Sequence, residues 1–88
     1  VKITFLKSFE RDLKRIKDKK IKAEIKVIIK KVKNASTLSE IKNLSRIKGT
    51  NNYYRIRIRD YRIGLKIEQK TVTFVRVLHR RDIYKYFP

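Results

Sequence analysis

Between Tyr54 and His79 the chain alternates apolar and polar residues almost without interruption. Tyr54-Arg-Ile-Arg-Ile-Arg59 is followed by a turn at Asp60, then by Tyr61-Arg-Ile-Gly-Leu-Lys-Ile-Glu68, a second turn at Gln69-Lys70, and Thr71 to His79. Period-2 alternation is the signature of half-buried strands, and the spacers are short enough only for tight hairpins. This third of the chain must therefore form a three-stranded antiparallel meander with one face turned to a core.

The first half completes the fold. Residues 1–6 alternate Val1, Ile3 and Phe5 against Lys2 and Thr4 and read as one more strand. Ser8 stands where a helix N-cap is expected, with Glu10 and Asp12 placed to complement the helix dipole, and Phe9, Leu13 and Ile16 give an apolar stripe. A charged break at Lys17 to Lys20, with Asp18 as a second cap, precedes Ile21, Ile25, Ile28, Ile29 and Val32 on a second helix ending near Asn34. Two amphipathic helices with a short break imply an antiparallel hairpin. Lys42 to Ile47 reads as irregular or weakly extended. The expected fold is α+β, in the order β-α-α-β-β-β with a short C-terminal helix or tail, the helical hairpin covering one face of the sheet. With 88 residues, two glycines and one proline, residues 1–88 are expected to form a single domain.

Composition excludes several functions. The longest apolar run is Val27 to Ile29, far short of a membrane span, and VKITFLKSFE has no apolar stretch of a signal peptide. The absence of cysteine excludes a disulfide scaffold or cysteine zinc site and fits a cytoplasmic protein; with one histidine, no histidine metal site is expected. The eight acids are scattered, with no carboxylate cluster for catalytic metal ions, so no metal and no cofactor is expected. Nucleotide-binding and hydrolase loop motifs are absent.

What remains is a net charge of +18. Self-repulsion of this size disfavours a compact chain, and the common reason for carrying it is a polyanion, nucleic acid first. The cations are also sorted: thirteen of sixteen lysines lie in residues 1–48, and seven of ten arginines in residues 55–81. Lysines are hydrated point charges suited to long-range attraction, whereas arginine offers a planar fork that grips phosphate. If Ile56, Ile58, Tyr61, Ile63, Leu65 and Ile67 face the helices, then Arg55, Arg57, Arg59, Arg62 and Lys66 face away. A register with Val75 and Val77 inward adds Phe74, Arg76, Leu78 and Arg80 to that outer face, and Gly64 leaves a gap where a ribose could approach. Like charges directly across strands cost stability, which argues against a merely solvated surface.

RNA cleavage without a metal is open to such a face. RNA supplies its own 2′-hydroxyl nucleophile; the protein must take up its proton, stabilise charge on the phosphate and protonate the 5′-oxygen. Arg57, Arg62 and Arg80 suit the second task, but arginine is a poor base. His79 alone has a near-neutral intrinsic pKa. Two readings of it stand side by side: a base at the end of the strand, or a packed or capping residue on the helix side. Tyr84 and Tyr86 are tail packing or a platform for an unstacked base, with Ile83 and Phe87 the expected packing residues.

YRIRIRDYRI and HRRDIY, with KSFERDLKRI and IKNLSRIKG before them, resemble the RelE/ParE superfamily of type II toxins, on the RelE side, over nearly the whole chain. The resemblance implies ribosome-dependent cleavage of mRNA in the A site, with catalytic positions falling on Arg57, Arg62, Arg80 and Tyr84. It places a further basic position at Arg55. The best-known member has lysines where this chain has Arg55 and Arg57, a departure that gives His79 more weight as the base. The interval from Arg80 to Tyr84 is also shorter here. RNA contacts are then expected from Arg55, Arg59, Lys66, Arg76 and Arg81, and ribosome contacts from Lys22, Lys26 and Lys30. The expected partners are the ribosome with its mRNA and an acidic RelB-like antitoxin, forming a hetero-oligomer. Two other classes stand beside this reading: a ParE-like inhibitor of DNA gyrase acting by binding, and an inactive nucleic-acid-binding homologue. A membrane role is weakest, since neither helix has a bulky interfacial face.

Overall fold

The computed structural model describes all 88 residues. The elements run β1 (Lys2–Phe5), α1 (Lys7–Arg15), α2 (Lys19–Asn34), a 3-10 turn at Leu38–Glu40, β2 (Leu44–Arg46), β3 (Tyr53–Ile58), β4 (Tyr61–Glu68), β5 (Thr71–His79) and α3 (Arg80–Tyr86). One five-stranded sheet has the order β1-β5-β4-β3-β2. β1 runs parallel to β5, and every other pair is antiparallel. Lys42 to Ile47 is thus partly a strand, too short for alternation to reveal.

Asp18 caps α2 as expected, its carboxylate accepting from the amides of Lys20 and Ile21. Ser8 does not cap α1; that position falls to Leu6, and the Ser8 hydroxyl donates to the Val75 carbonyl at 2.6 Å. Phe9 of α1, Ile16 at its C-cap, and Ile21, Ile25 and Val32 from α2 meet Ile56, Ile58, Ile63, Leu65, Val72, Phe74 and Val77 of the sheet in one core. Ile83 and Phe87 are buried outside that cluster. They belong to α3 and its C-cap, and α3 lies against β4 and β5.

The register of β5 corrects the sequence reading of Phe74. Gly64 pairs with Arg76 and Leu65 with Phe74, so Val75 has no partner and forms a β-bulge. The extra residue reverses the alternation: Val72 and Phe74 point inward before it, and Val77 after it. Phe74 is fully buried, with its ring 5.0 Å from Phe5 and 5.3 Å from Phe9. It is not an exposed aromatic of the outer face.

Arg59 also departs from the alternation, because the strand has ended. It takes a left-handed backbone conformation (φ 52°) in the turn, and its Nε donates to Glu24 of α2 at 2.9 Å. The hairpin at Gln69 and Lys70 has positive φ at both residues, the geometry that matches strand twist. No helix is long and apolar enough to cross a membrane.

Candidate nucleic-acid interface

The outer face of the sheet is where the arginines meet. Arg55 pairs across to Gly64 and Arg57 to Arg62, with Ser45 beside Arg55 on β2. Arg55, Arg57, Arg62 and Ser45 line a cavity of about 430 Å³ together with Asn43, Leu44 and Tyr84. That lies within the span of small-ligand sites, about 300–1,000 Å³. No carboxylate is among its lining residues. None of the molecule's four ion pairs involves Arg55, Arg57 or Arg62.

Each arginine is held differently. Arg62 donates through Nη1 to the carbonyls of Arg59 (2.8 Å) and Tyr61 (2.9 Å), which pins one edge of its fork to the turn. Partial burial pushes its pKa below the ordinary arginine value; Tyr84 acts in the opposite sense, and the charges of Arg57, Arg55 and Arg80 lower it further. Arg55, Arg57 and Arg62 thus stand together with no carboxylate lining the space between them, while Arg80 keeps Asp60 beside it. Arg55 donates through Nη1 to the Tyr84 hydroxyl at 2.8 Å, and its Cζ stands 5.3 Å from the centre of that ring. Arg57 is exposed.

The other candidates are spread more widely. Arg80 is exposed at the start of α3, its backbone amide donating to the Asp60 carbonyl at 2.7 Å and its Nε 3.9 Å from the Asp60 carboxylate. His79 caps α3: its Nδ1 accepts from the Arg81 amide at 3.1 Å, and its ring sits edge-on to Tyr61. In a neutral imidazole that bond occupies the one nitrogen lone pair, leaving the proton on Nε2. His79 does not line the cavity.

Arg76 points outward as expected but is not free. Its Nε and Nη2 donate to the Asp12 carboxylate at 2.6 and 3.1 Å, and Asp12 also accepts from the Val77 amide at 3.1 Å. This fork–fork pairing raises the Arg76 pKa despite partial burial. β1 pairs with β5 only as far as Phe74, and Asp12 takes an amide of β5 beyond that point. Asp12 is therefore a buried ion-pair residue rather than a dipole-compensating one. Lys66 lies near Glu68 (3.4 Å) and the Tyr53 ring. Arg81 is exposed on α3, as are Lys26 and Lys30 on α2, with Lys22 half-buried.

The gap expected above Gly64 is filled. The Phe87 ring lies there, so close that a Cβ on residue 64 would fall 2.7 Å from it. The open part of the outer face is the cavity beside β2 and β3. Asn43 and Ser45 are site residues that sequence reasoning missed, because three residues of strand carry too little periodicity. Asn43 has φ 62°, and its carbonyl accepts from the Arg57 amide. No group of three His, Asp or Glu side chains is placed to hold a metal ion.

The sheet thus carries the helices α1 and α2 on one face and the arginine cluster, beside the short α3, on the other. Residues 3–84 match the family model described as the ParE toxin of type II toxin-antitoxin systems. The chain is 45% identical over 89 residues to Toxin RelE3 of Methanocaldococcus jannaschii, covering all of both chains. Its fold superposes on the RelB-RelE antitoxin-toxin complex from Methanococcus jannaschii with a TM-score of 0.80 at 45% identity, over 96% of this chain and 98% of that one. The archaeal RelE-RelB complex from Pyrococcus horikoshii OT3 shares the fold at 17% identity (TM-score 0.72; 90% and 93% of the two chains). The intact E. coli RelBE toxin-antitoxin complex does so at 15% (TM-score 0.67; 86% and 92%). The chain belongs to the RelE/ParE superfamily of type II toxin-antitoxin toxins.

Proposed function

We propose that residues 1–88 act as one cytoplasmic toxin domain, a ribosome-dependent endoribonuclease that cleaves mRNA in the A site and so arrests translation. The observation that carries this reading is the cavity holding Arg55, Arg57, Arg62 and Tyr84 with no carboxylate among its lining residues. An uncompensated cluster of guanidinium groups suits a phosphodiester and the additional charge that develops on it during cleavage. In the proposed reaction the 2′-oxygen attacks the adjacent phosphorus and the 5′-oxygen leaves. The products are a 2′,3′-cyclic phosphate and a 5′-hydroxyl.

Arg57 and Arg62 stabilise the phosphate oxygens in this scheme, and Arg80 adds charge from the start of α3. Tyr84 stands against the cavity with its hydroxyl on a guanidinium, where it can move a proton or stack an unstacked base. His79 serves as the base only by giving up its bond to the Arg81 amide. Arg55, Lys66 and Arg81 track the RNA backbone, Arg59 does so after release from Glu24, and Arg76, its fork closed by Asp12, contributes only charge at a distance. The row of Lys22, Lys26 and Lys30 meets ribosomal RNA. The cognate partner is an acidic RelB-like antitoxin in a hetero-oligomer, a proposal supported by the RelB-bound relatives.

A second reading is favoured by the family model, whose description is of ParE toxins: inhibition of DNA gyrase by binding. In vitro translation with primer extension on the mRNA, with and without ribosomes, separates the two. Ribosome-dependent breaks that vanish in Arg80→Ala are expected. Intact mRNA together with DNA damage on induction would favour gyrase, and a chain inert in both assays would be a binding homologue.

A further inference from the structure

The geometry points to Phe87 as the residue that positions Tyr84, through a socket that exists because residue 64 is glycine. α3 has only seven residues, too few to hold its own place, so its pose depends on what it docks. Its anchors are Ile83 and Phe87, one turn apart and both buried, with the Phe87 amide donating to the Ile83 carbonyl at 2.9 Å. Tyr84, next to Ile83, is 68% exposed, and its hydroxyl bonds to Arg55. Where Tyr84 stands is therefore set by where its neighbours dock.

The Phe87 socket is specific. Gly64 pairs with Arg55 on one side and Arg76 on the other. The ring rests on the bare Cα between them and meets Tyr53 edge-on at 5.5 Å. From that seat the tail reaches both arginines: Tyr84 over Arg55, and Tyr86 with its ring centre 5.8 Å from Arg76 Cζ. The three nearest atoms to a Cβ on residue 64 are all Phe87 ring atoms, at 2.7 to 2.8 Å. Gly64 is not in the left-handed region, so alanine fits its backbone. The Phe87 ring, whose atoms are the ones a Cβ would meet, must give way. Gly64→Ala should leave the sheet folded and evict the ring.

The readout is the nuclear Overhauser signal between the Arg55 guanidinium and the Tyr84 ring in the full chain. It should disappear in Gly64→Ala. It should return in Gly64→Ala/Phe87→Leu, where the shorter side chain offsets the added methyl. Phe87→Ala leaves the sheet untouched and should abolish the signal in the same way, which keeps the test decisive should Gly64→Ala not fold. Persistence of the Arg55–Tyr84 signal after the ring has left Tyr53 would overturn the assignment. The consequence for chemistry rests on the ribonuclease reading: turnover on ribosome-bound mRNA should fall by up to about a hundredfold with little change in KM, and recover in the double variant. If the wild-type chain is inert on RNA while Tyr84 still leaves Arg55 in the single variants and returns in the double one, the ribonuclease reading fails and the positioning role stands.

Discussion

Arg76 and the trio Arg55, Arg57 and Arg62 all project from the outer face of one sheet, yet they do opposite work. Arg76 is closed by Asp12 in a two-point pair whose carboxylate is almost wholly buried. The trio has no carboxylate and surrounds a cavity. The paired arginine spends its hydrogen-bonding capacity inside the molecule, tying α1 to β5. The trio has no ion partner, and beyond the bonds of Arg62 to two carbonyls and of Arg55 to Tyr84 its donors are left for something outside the molecule. Alternation alone makes the two kinds look alike; a helix arriving at one edge of the sheet and not the other separates them.

That contrast can be broken by mutation, most sharply on the open side. Arg57→Ala and Arg62→Ala should each lower RNA cleavage by about 10²–10³-fold, the cost of removing one preorganised donor to a developing charge. Their unfolding free energies should stay within about 1 kcal/mol of the parent, since only Arg62 gives up internal hydrogen bonds. Urea denaturation beside single-turnover kinetics checks both halves, and a large stability loss in Arg57→Ala would erase the distinction.

The closed side should behave in reverse. Asp12→Ala leaves Arg76 without its partner and the Val77 amide unsatisfied, and should cost about 2–4 kcal/mol. The lower half of that span is expected because Arg76 is 24% exposed. Replacing both partners with apolar residues of similar shape, as in Asp12→Leu/Arg76→Met, should recover the part of the loss due to the unpaired guanidinium, while the unsatisfied Val77 amide keeps the rest, in the same denaturation experiment.

Between these extremes lies Arg59, paired with Glu24 but at the surface. Glu24→Gln should change stability by less than about 1 kcal/mol, and the change should shrink further in high salt. A larger effect would place Arg59 with Arg76 among the structural arginines. The smallest effect concerns Glu40, whose carboxylate accepts from the amides of Thr37 and Ser36 and is held below the usual carboxylate pKa by those bonds, against a small opposing effect of desolvation. A depressed folded pKa means that the local stabilisation is complete above the ordinary carboxylate range and is lost as pH falls through the folded value. Hydrogen-exchange protection of the Ser36 and Thr37 amides should therefore fade on acidification in the parent and be weak at all pH in Glu40→Ala.

Much of this was legible in the residues. The meander, the helical hairpin, the cap at Asp18 and the packing role of Ile83 and Phe87 follow from periodicity and local chemistry. So does the outward side of Arg55, Arg57 and Arg62, because strict alternation admits only one face for them once their isoleucines are buried. Elsewhere the local pattern and the molecule differ for specific reasons. Alternation puts Phe74 outward, but a bulge at Val75 reverses it, and no local residue announces the bulge. Arg59 leaves the outer face because the strand ends one residue before it. The open space over Gly64 was a correct reading of the strand and an incorrect one of the molecule, since the ring that fills it arrives from the tail.

The residues by themselves determined the class of fold, the segregation of lysine from arginine and the face on which the guanidinium groups stand, because period and composition are local properties. Only the tertiary structure decided which arginines stay unpaired, which way β5 turns after its bulge and what covers Gly64. Each of those outcomes is a contact between distant positions. Asp12 meets Arg76 across 64 residues and Ser8 meets Val75 across 67. No local pattern encodes an encounter that exists only after the chain has folded back on itself.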